Sequence, residues 1–191
     1  MEIVKFLKSG NISLNNEEGK IEIENSSNYL PYHKISSQDW GRIYEKFVGQ
    51  CLEKEGYEVK YNGLESGFLD KGIDIIAKKK DRINFIQCKF STRSKIGKSK
   101  INWILYKASN ELYKQYQNSE KRIIFTLIVN STETSFSKKI PKNFKLNFTH
   151  SSKIEYPWLQ YFLEHNYIQD KIKLEFREIK MNNNYGNNAY K

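Results

Sequence analysis

Asp74, Gln87 and Lys89 stand in apolar runs that should carry no polar residue. Asp74 interrupts Ile73 and Ile75-Ile76, while Gln87 and Lys89 interrupt Phe85-Ile86, Cys88 and Phe90. The two runs, Leu69–Ala77 and Ile83–Phe90, read as short strands joined by the basic turn Lys78–Arg82. Side chains alternate across a strand, so Gln87 and Lys89 share a face. An acid, an amide and an amine buried together are costly unless they pair or hold a metal. Singly, Asp74 reads as a turn or strand-edge acid, and Lys89 as a strand lysine whose stem carries its charge to water. Jointly, in adjacent strands, they point to a site, because buried charge is rare without a partner.

Other elements must position these groups. Ser36-Ser37-Gln38-Asp39 has the pattern of a helix start, with a hydroxyl cap and an acid in the first turn. Trp40, Ile43, Tyr44, Phe47, Val48, Cys51 and Leu52 keep helical spacing, so the helix runs to about Glu55 and ends at Gly56. At about 100° per residue, Glu45 falls at the edge of that stripe, beside Val48 and Leu52. Alone it reads as a solvated carboxylate. Tyr57–Tyr61 alternates as a strand does, and Asn62-Gly63 and Ser66-Gly67 mark a loop or turn after it.

Beyond Lys89, Ser91–Lys100 is polar and basic and should rim the same site. Ser91, Thr92, Arg93, Lys95, Lys98 and Lys100 are its candidate phosphate contacts, against the plainer reading of a solvated loop. Ile101–Gln117 reads as a second amphipathic helix, with Ile101, Ile104, Leu105, Ala108, Leu112 and Tyr116 as its stripe. Arg122–Asn130 is apolar throughout, as a strand covered on both faces would be. Ser131–Phe136 reads as a polar loop, Lys138–Lys145 as a lysine cluster, Pro157–Asn166 as a helix and Ile172–Ile179 as a late strand. Before the first helix, Ile12–Leu14 and Lys20–Glu24 suggest a hairpin, and Tyr29-Leu30-Pro31-Tyr32 a connector.

The order helix, strand, strand, strand, helix, strand predicts an α/β fold with a central mixed β-sheet flanked by helices. Three parts are expected: an N-terminal extension over 1–35, a main domain over 36–180 with its core motifs in 37–134, and a disordered Asn-rich tail over 181–191.

The bulk numbers agree with one domain. The chain has 191 residues, 38% hydrophobic and 28% charged, which suffices for a core. No apolar run approaches the roughly 18 residues of a membrane span, so no membrane partner is expected. No secretory signal is evident, and Cys51 and Cys88 read as buried thiols of a reducing cytoplasm. A net charge of +10 favours a polyanionic partner, most simply nucleic acid. The richness in Lys, Asn and Ile offers a plainer source, an AT-rich genome.

Glu45 on its helix, Gly72-Ile73-Asp74-Ile75-Ile76 and Gln87-Cys88-Lys89 together resemble the PD-(D/E)xK nuclease superfamily. The Gln-x-Lys form after Gly-Ile-Asp is similar to the Mrr-like restriction endonucleases and, more distantly, the archaeal Holliday junction resolvases. The match covers about Ser37–Thr134. The resemblance implies a restriction-endonuclease-like core with small N-terminal and C-terminal additions. It implies a Mg²⁺-dependent DNA endonuclease, with Mn²⁺ substituting, and a homodimer that offers two sites to two strands. Phosphodiester hydrolysis needs a nucleophilic water and neutralised charge, and a hard divalent cation with oxygen ligands supplies both. Asp74 would be the main ligand, joined by Glu45, the amide oxygen of Gln87 and the backbone carbonyl of Cys88. Lys89 would orient the water, stabilise phosphate charge or act as general base. Gln87 departs from the superfamily, which commonly has a carboxylate there. Asp70-Lys71 also departs, standing before Gly72 where Mrr-like enzymes often show Asp-Gly. The alternatives are a junction-resolving nuclease, an RNA nuclease and a non-catalytic nucleic-acid-binding module on the same fold.

Overall fold

A computed structural model of the chain describes residues 3–67, 71–90, 95–97, 99–101, 103–104, 107–108, 111–112, 120–136 and 172–182. The lysine cluster, the helix expected over Pro157–Asn166 and nearly all of the Asn-rich tail lie outside these residues.

The elements are α1 (Ile3–Lys8), β1 (Ile12–Asn15), β2 (Lys20–Ile23), β3 (Tyr29–Pro31), α2 (Ser37–Lys54), β4 (Glu58–Lys60), α3 (Asn62–Ser66), β5 (Ile75–Lys79), β6 (Arg82–Lys89), β7 (Arg122–Val129), α4 (Thr132–Ser135) and β8 (Ile172–Glu178). Between β6 and β7, residues 99–101, 103, 104, 107, 108, 111 and 112 are helical. Strands β4 to β8 form one sheet in chain order. The first two pairings are antiparallel and the last two parallel, so the sheet is mixed, as the element order predicts. β6 is its middle strand, and residues Ile83 to Cys88 are all buried.

Each face of the sheet has its own core. Ile75, Ala77, Ile86, Cys88 and Ile128 pack with Ile43, Tyr44, Val48 and Leu52 of α2 and with α1, β1 and β2. Ile83, Phe85, Ile123, Phe125, Leu127 and Val129 pack on the other side with Ile101, Ile104, Ala108 and Leu112. This two-sided cover is why β6 and β7 are near-continuous apolar runs. The Ser36 hydroxyl caps α2 by accepting from the Asp39 N–H. Phe90, just beyond β6, packs 5.3 Å from the Tyr44 ring and 6.1 Å from Trp40, seating α2 on the strand end.

Several expectations are corrected. Tyr29–Pro31 is a strand paired with β2, not a connector. The expected first strand begins only at Ile75, because Lys71 and Gly72 adopt positive φ and turn the chain. The turn after it is tighter than Lys78–Arg82, since Lys79 pairs with Arg82. Asn62–Ser66 is helical, as is most of the Ser131–Phe136 loop. Residues 99 and 100 are already helical, so the basic loop is shorter than expected. Cys51 and Cys88 are free thiols as expected, but only Cys88 is buried and Cys51 is half-buried. Among the described residues no helix is long and apolar enough to cross a membrane.

Candidate active site

The two strand motifs meet by register. Ile75 is paired with Ile86, so one step further Asp74 lies opposite Gln87. The Asp74 N–H donates to the Ile86 carbonyl at 2.8 Å, carrying the pairing past the strand's first residue. Asp74 is 3% exposed, and Oδ2 accepts from the Cys88 backbone N–H at 2.6 Å and from Gln87 Nε2. A buried carboxylate is tolerable because those donors answer it.

Two further bonds fix the Asp74 backbone. Asn62 Nδ2 donates to the Ile73 carbonyl at 2.7 Å, and the Gly63 N–H donates to the Asp74 carbonyl at 2.8 Å. α3 is therefore a prop for the acid. The sequence marks Asn62-Gly63 only as a turn; the role comes from partners 11 residues on.

Glu45 reaches the same place from α2. A Cβ added at Gly63 would lie 2.7 Å from Glu45 Oε2 and 3.4 Å from the Asp74 Cα. The absence of a side chain at Gly63 is what lets the Glu45 carboxylate approach the Asp74 backbone. Half-buried Glu45 thus sits at the border of the core.

Lys89 ends β6 half-buried, opposite Val129. The β7 partners of Gln87 and Lys89, Leu127 and Val129, belong to the core away from α2, whereas Cys88 belongs to the core facing α2. Glu45 and the Gln87–Lys89 pair therefore approach the strand end from opposite faces. Cys88 registers this convergence. Burial pushes its thiol well up, Asp74 and Glu45 push it further, and Lys89 pulls it down.

Gln87, 5% exposed, departs from its expected orientation. It turns Nε2 toward Asp74, with a second contact of 3.4 Å to the Cys88 carbonyl, and Oε1 toward Gly72. An amide N–H matches a carboxylate, whereas an amide oxygen facing it would repel it. A ligand role needs that amide turned over.

Among the described residues no three of His, Cys, Asp and Glu gather as a metal cluster. The Gln87 amide and the Cys88 carbonyl lie beside Asp74, and Glu45 comes to the Asp74 backbone from the α2 side. With the Gln87 amide turned over, these groups would offer oxygen atoms, the donors a hard divalent cation prefers.

Of the expected phosphate contacts, Ser91, Thr92, Arg93 and Lys98 lie outside the described residues. Lys100 is exposed on the helix, not in the loop. Lys95 donates to the Thr134 carbonyl, and buried Ile96 bridges Phe136 in parallel. The segments that follow β6 and β7 are thereby clasped together at the same end of the sheet as Asp74.

Among curated proteins none matches the chain. Among solved structures, a crystal structure described as a protein of unknown function, AF1548, matches 70% of this chain and 58% of its own, with 17% identity and a TM-score of 0.30. The family of Mrr-type catalytic domains, described as restriction endonuclease, matches residues 54–166, which include Asp74, Gln87 and Lys89. With more than half of its length in that match, the chain belongs to the Mrr-like restriction endonucleases of the PD-(D/E)xK superfamily.

Proposed function

We propose that this nuclease is a metal-dependent DNA endonuclease of the restriction type, hydrolysing phosphodiester bonds at Asp74. The observation that supports this reading best is the buried Asp74 carboxylate, whose Oδ2 accepts from both Gln87 Nε2 and the Cys88 backbone N–H at the end of β6. Glu45 of α2 comes beside the Asp74 backbone at Gly63. A purely structural cluster has no need of an acid from α2 at that point.

Asp74, Glu45, Gln87 and the Cys88 carbonyl would hold Mg²⁺, with Mn²⁺ as a substitute. Bound there, the ion supplies Lewis acidity toward the phosphate and a more acidic water. Lys89 orients the attacking water and offsets charge on the phosphate oxygens. That water adds to phosphorus and gives up a proton to solvent as the bond to the leaving oxygen breaks, and solvent returns a proton to the leaving group. Asn62 and Gly63 hold the Asp74 backbone in place for this work.

The test is cleavage of plasmid, four-way-junction and RNA substrates in Mg²⁺, Mn²⁺ or EDTA by wild type, Asp74→Ala and Lys89→Ala. Metal-dependent cleavage of plasmid, lost in both variants, is expected. Equal cleavage by all three proteins sinks the assignment. Preference for junctions or RNA replaces the restriction reading, and tight binding without cleavage in any metal replaces the enzyme with a binding module.

A further inference from the structure

Gly72 lies where the turn before Asp74 meets the helical residues between β6 and β7. A Cβ there would lie 3.1 Å from Lys107 Cβ and 3.4 Å from Gln87 Oε1. The base of the Lys107 side chain is therefore next to the amide that bonds Asp74. One turn earlier among the same helical residues is Trp103, 43% exposed, and Lys107 Nζ lies 5.5 Å from its ring centroid. Lys100, Trp103 and Lys107 share the outer face, while Ile101, Ile104, Ala108 and Leu112 turn into the core. The acid on this outer side, Glu111, bonds Lys71 at 3.1 Å and pins the turn to the helix.

We propose that Lys107 and Trp103 form a strand-binding edge of the site, with Lys107 taking a DNA phosphate beside the one being cut and Trp103 positioning its ammonium. This rests on the nuclease reading above. The chain's charge of +10 suits a polyanion, and Glu111, the acid of this face, is answered by Lys71. An ammonium is a point donor that can donate to any phosphate oxygen. The Trp103 ring attracts that ammonium through its negative face and dries one side of it, which strengthens its pull on an anion. By strand alternation Lys89 leaves β6 on this same side, so a strand held by Lys107 runs toward Lys89.

The test is anisotropy of a fluorescein-labelled DNA duplex in EDTA across a salt series, with melting curves for each protein. Lys107→Ala is expected to weaken binding about five- to tenfold and to lower the slope of log affinity against log salt by about 0.9. Lys107→Arg restores the slope. Trp103→Ala loses about two- to fivefold, and Trp103→Phe recovers most of it. Melting temperatures are expected to change little for Lys107→Ala, whose ammonium lies on the exposed face, and by less for Trp103→Phe than for Trp103→Ala. The proposal is overturned if wild type binds and cuts the duplex and the alanine variants bind as it does at every salt. It is also overturned if affinity falls with an unchanged slope and a lowered melting temperature, which marks a structural role. A wild type that neither binds nor cuts any duplex in Mg²⁺ or Mn²⁺ refutes the nuclease reading, and this edge with it.

Discussion

Gln87 faces Asp74 with its N–H, and both the Gln87 amide and the Cys88 backbone N–H end on the same carboxylate oxygen, Oδ2. The amide answers the buried negative charge without a charge of its own. A glutamate at this position changes the balance, because two carboxylates then face each other one step beyond the pairing of Ile75 with Ile86.

Gln87→Glu is therefore expected to destabilise the protein by about 1–3 kcal/mol in EDTA, through the lost hydrogen bond and like-charge repulsion. Mg²⁺ should return most of that loss by lying between the carboxylates. Thermal melts of wild type and variant with EDTA or Mg²⁺ measure it. A variant whose melting temperature ignores Mg²⁺ refutes the ligand role of this position.

Gly63→Ala separates stability from activity. The helical position favours alanine by about 0.5–1 kcal/mol. The added Cβ, however, would stand 2.7 Å from Glu45 Oε2, so the carboxylate must move. In thermal melts the variant should stay within about 1 kcal/mol of wild type, the alanine preference offsetting the displaced carboxylate, and it should cut DNA at least about tenfold more slowly, the order of a misplaced group. Unchanged cleavage means that the placement of Glu45 does not matter.

Asn62→Ala removes the bond to the Ile73 carbonyl at 2.7 Å and with it part of the support of Asp74. A stability loss of about 1 kcal/mol is expected. The fall in kcat should exceed the rise in KM, because the defect lies in orientation. Steady-state cleavage of an oligonucleotide duplex decides between them; a pure KM effect contradicts the prop.

Alkali should unfold this protein early. Burial raises the Tyr32 hydroxyl to about 12 and pushes Tyr44 and Tyr61 up, and burial leads the upward shift of Cys88. Each is held neutral in the fold and ionises more easily when unfolded. Their stability is thus complete below the unfolded values, about 8.5 for Cys and about 10 for Tyr, and is lost as pH climbs toward the folded ones. Tyr44 also donates to the Ile179 carbonyl at 2.8 Å, tying α2 to the chain after β8. Tyr44→Phe should cost about 1 kcal/mol at neutral pH and flatten the loss above pH about 10, as urea midpoints across pH would show. A steeper alkaline loss in the variant overturns this account.

Local periodicity made much of the fold readable. The stripe from Trp40 to Leu52 gives α2, and continuous apolar runs give β6 and β7, because in each case spacing alone reports the buried face. The pairing of Asp74 with Gln87 follows from polar residues misplaced in those runs. What escaped notice depends on distant partners. Asn62-Gly63 has turn chemistry locally and becomes helix only with the Ile73 and Asp74 carbonyls in reach. Tyr29–Pro31 has too few residues to show alternation and is a strand because β2 pairs with it. Ile96 in the basic loop is buried through its bridge to Phe136, which sequence spacing does not reveal. Which end of the Gln87 amide meets Asp74 is likewise a matter of three-dimensional partners.

β6 serves two masters at once. Its antiparallel neighbour brings Asp74, its parallel neighbour fixes where Lys89 ends, and the side-chain period is two. A slip of one residue would put Cys88 where Gln87 stands and turn the amide and the amine into the opposite core. The distance between acid and lysine is therefore quantised. A lineage carrying this sheet can silence the chemistry by replacing a side chain, or tune it through the props around Gly63, but it has no gradual route through the strands themselves.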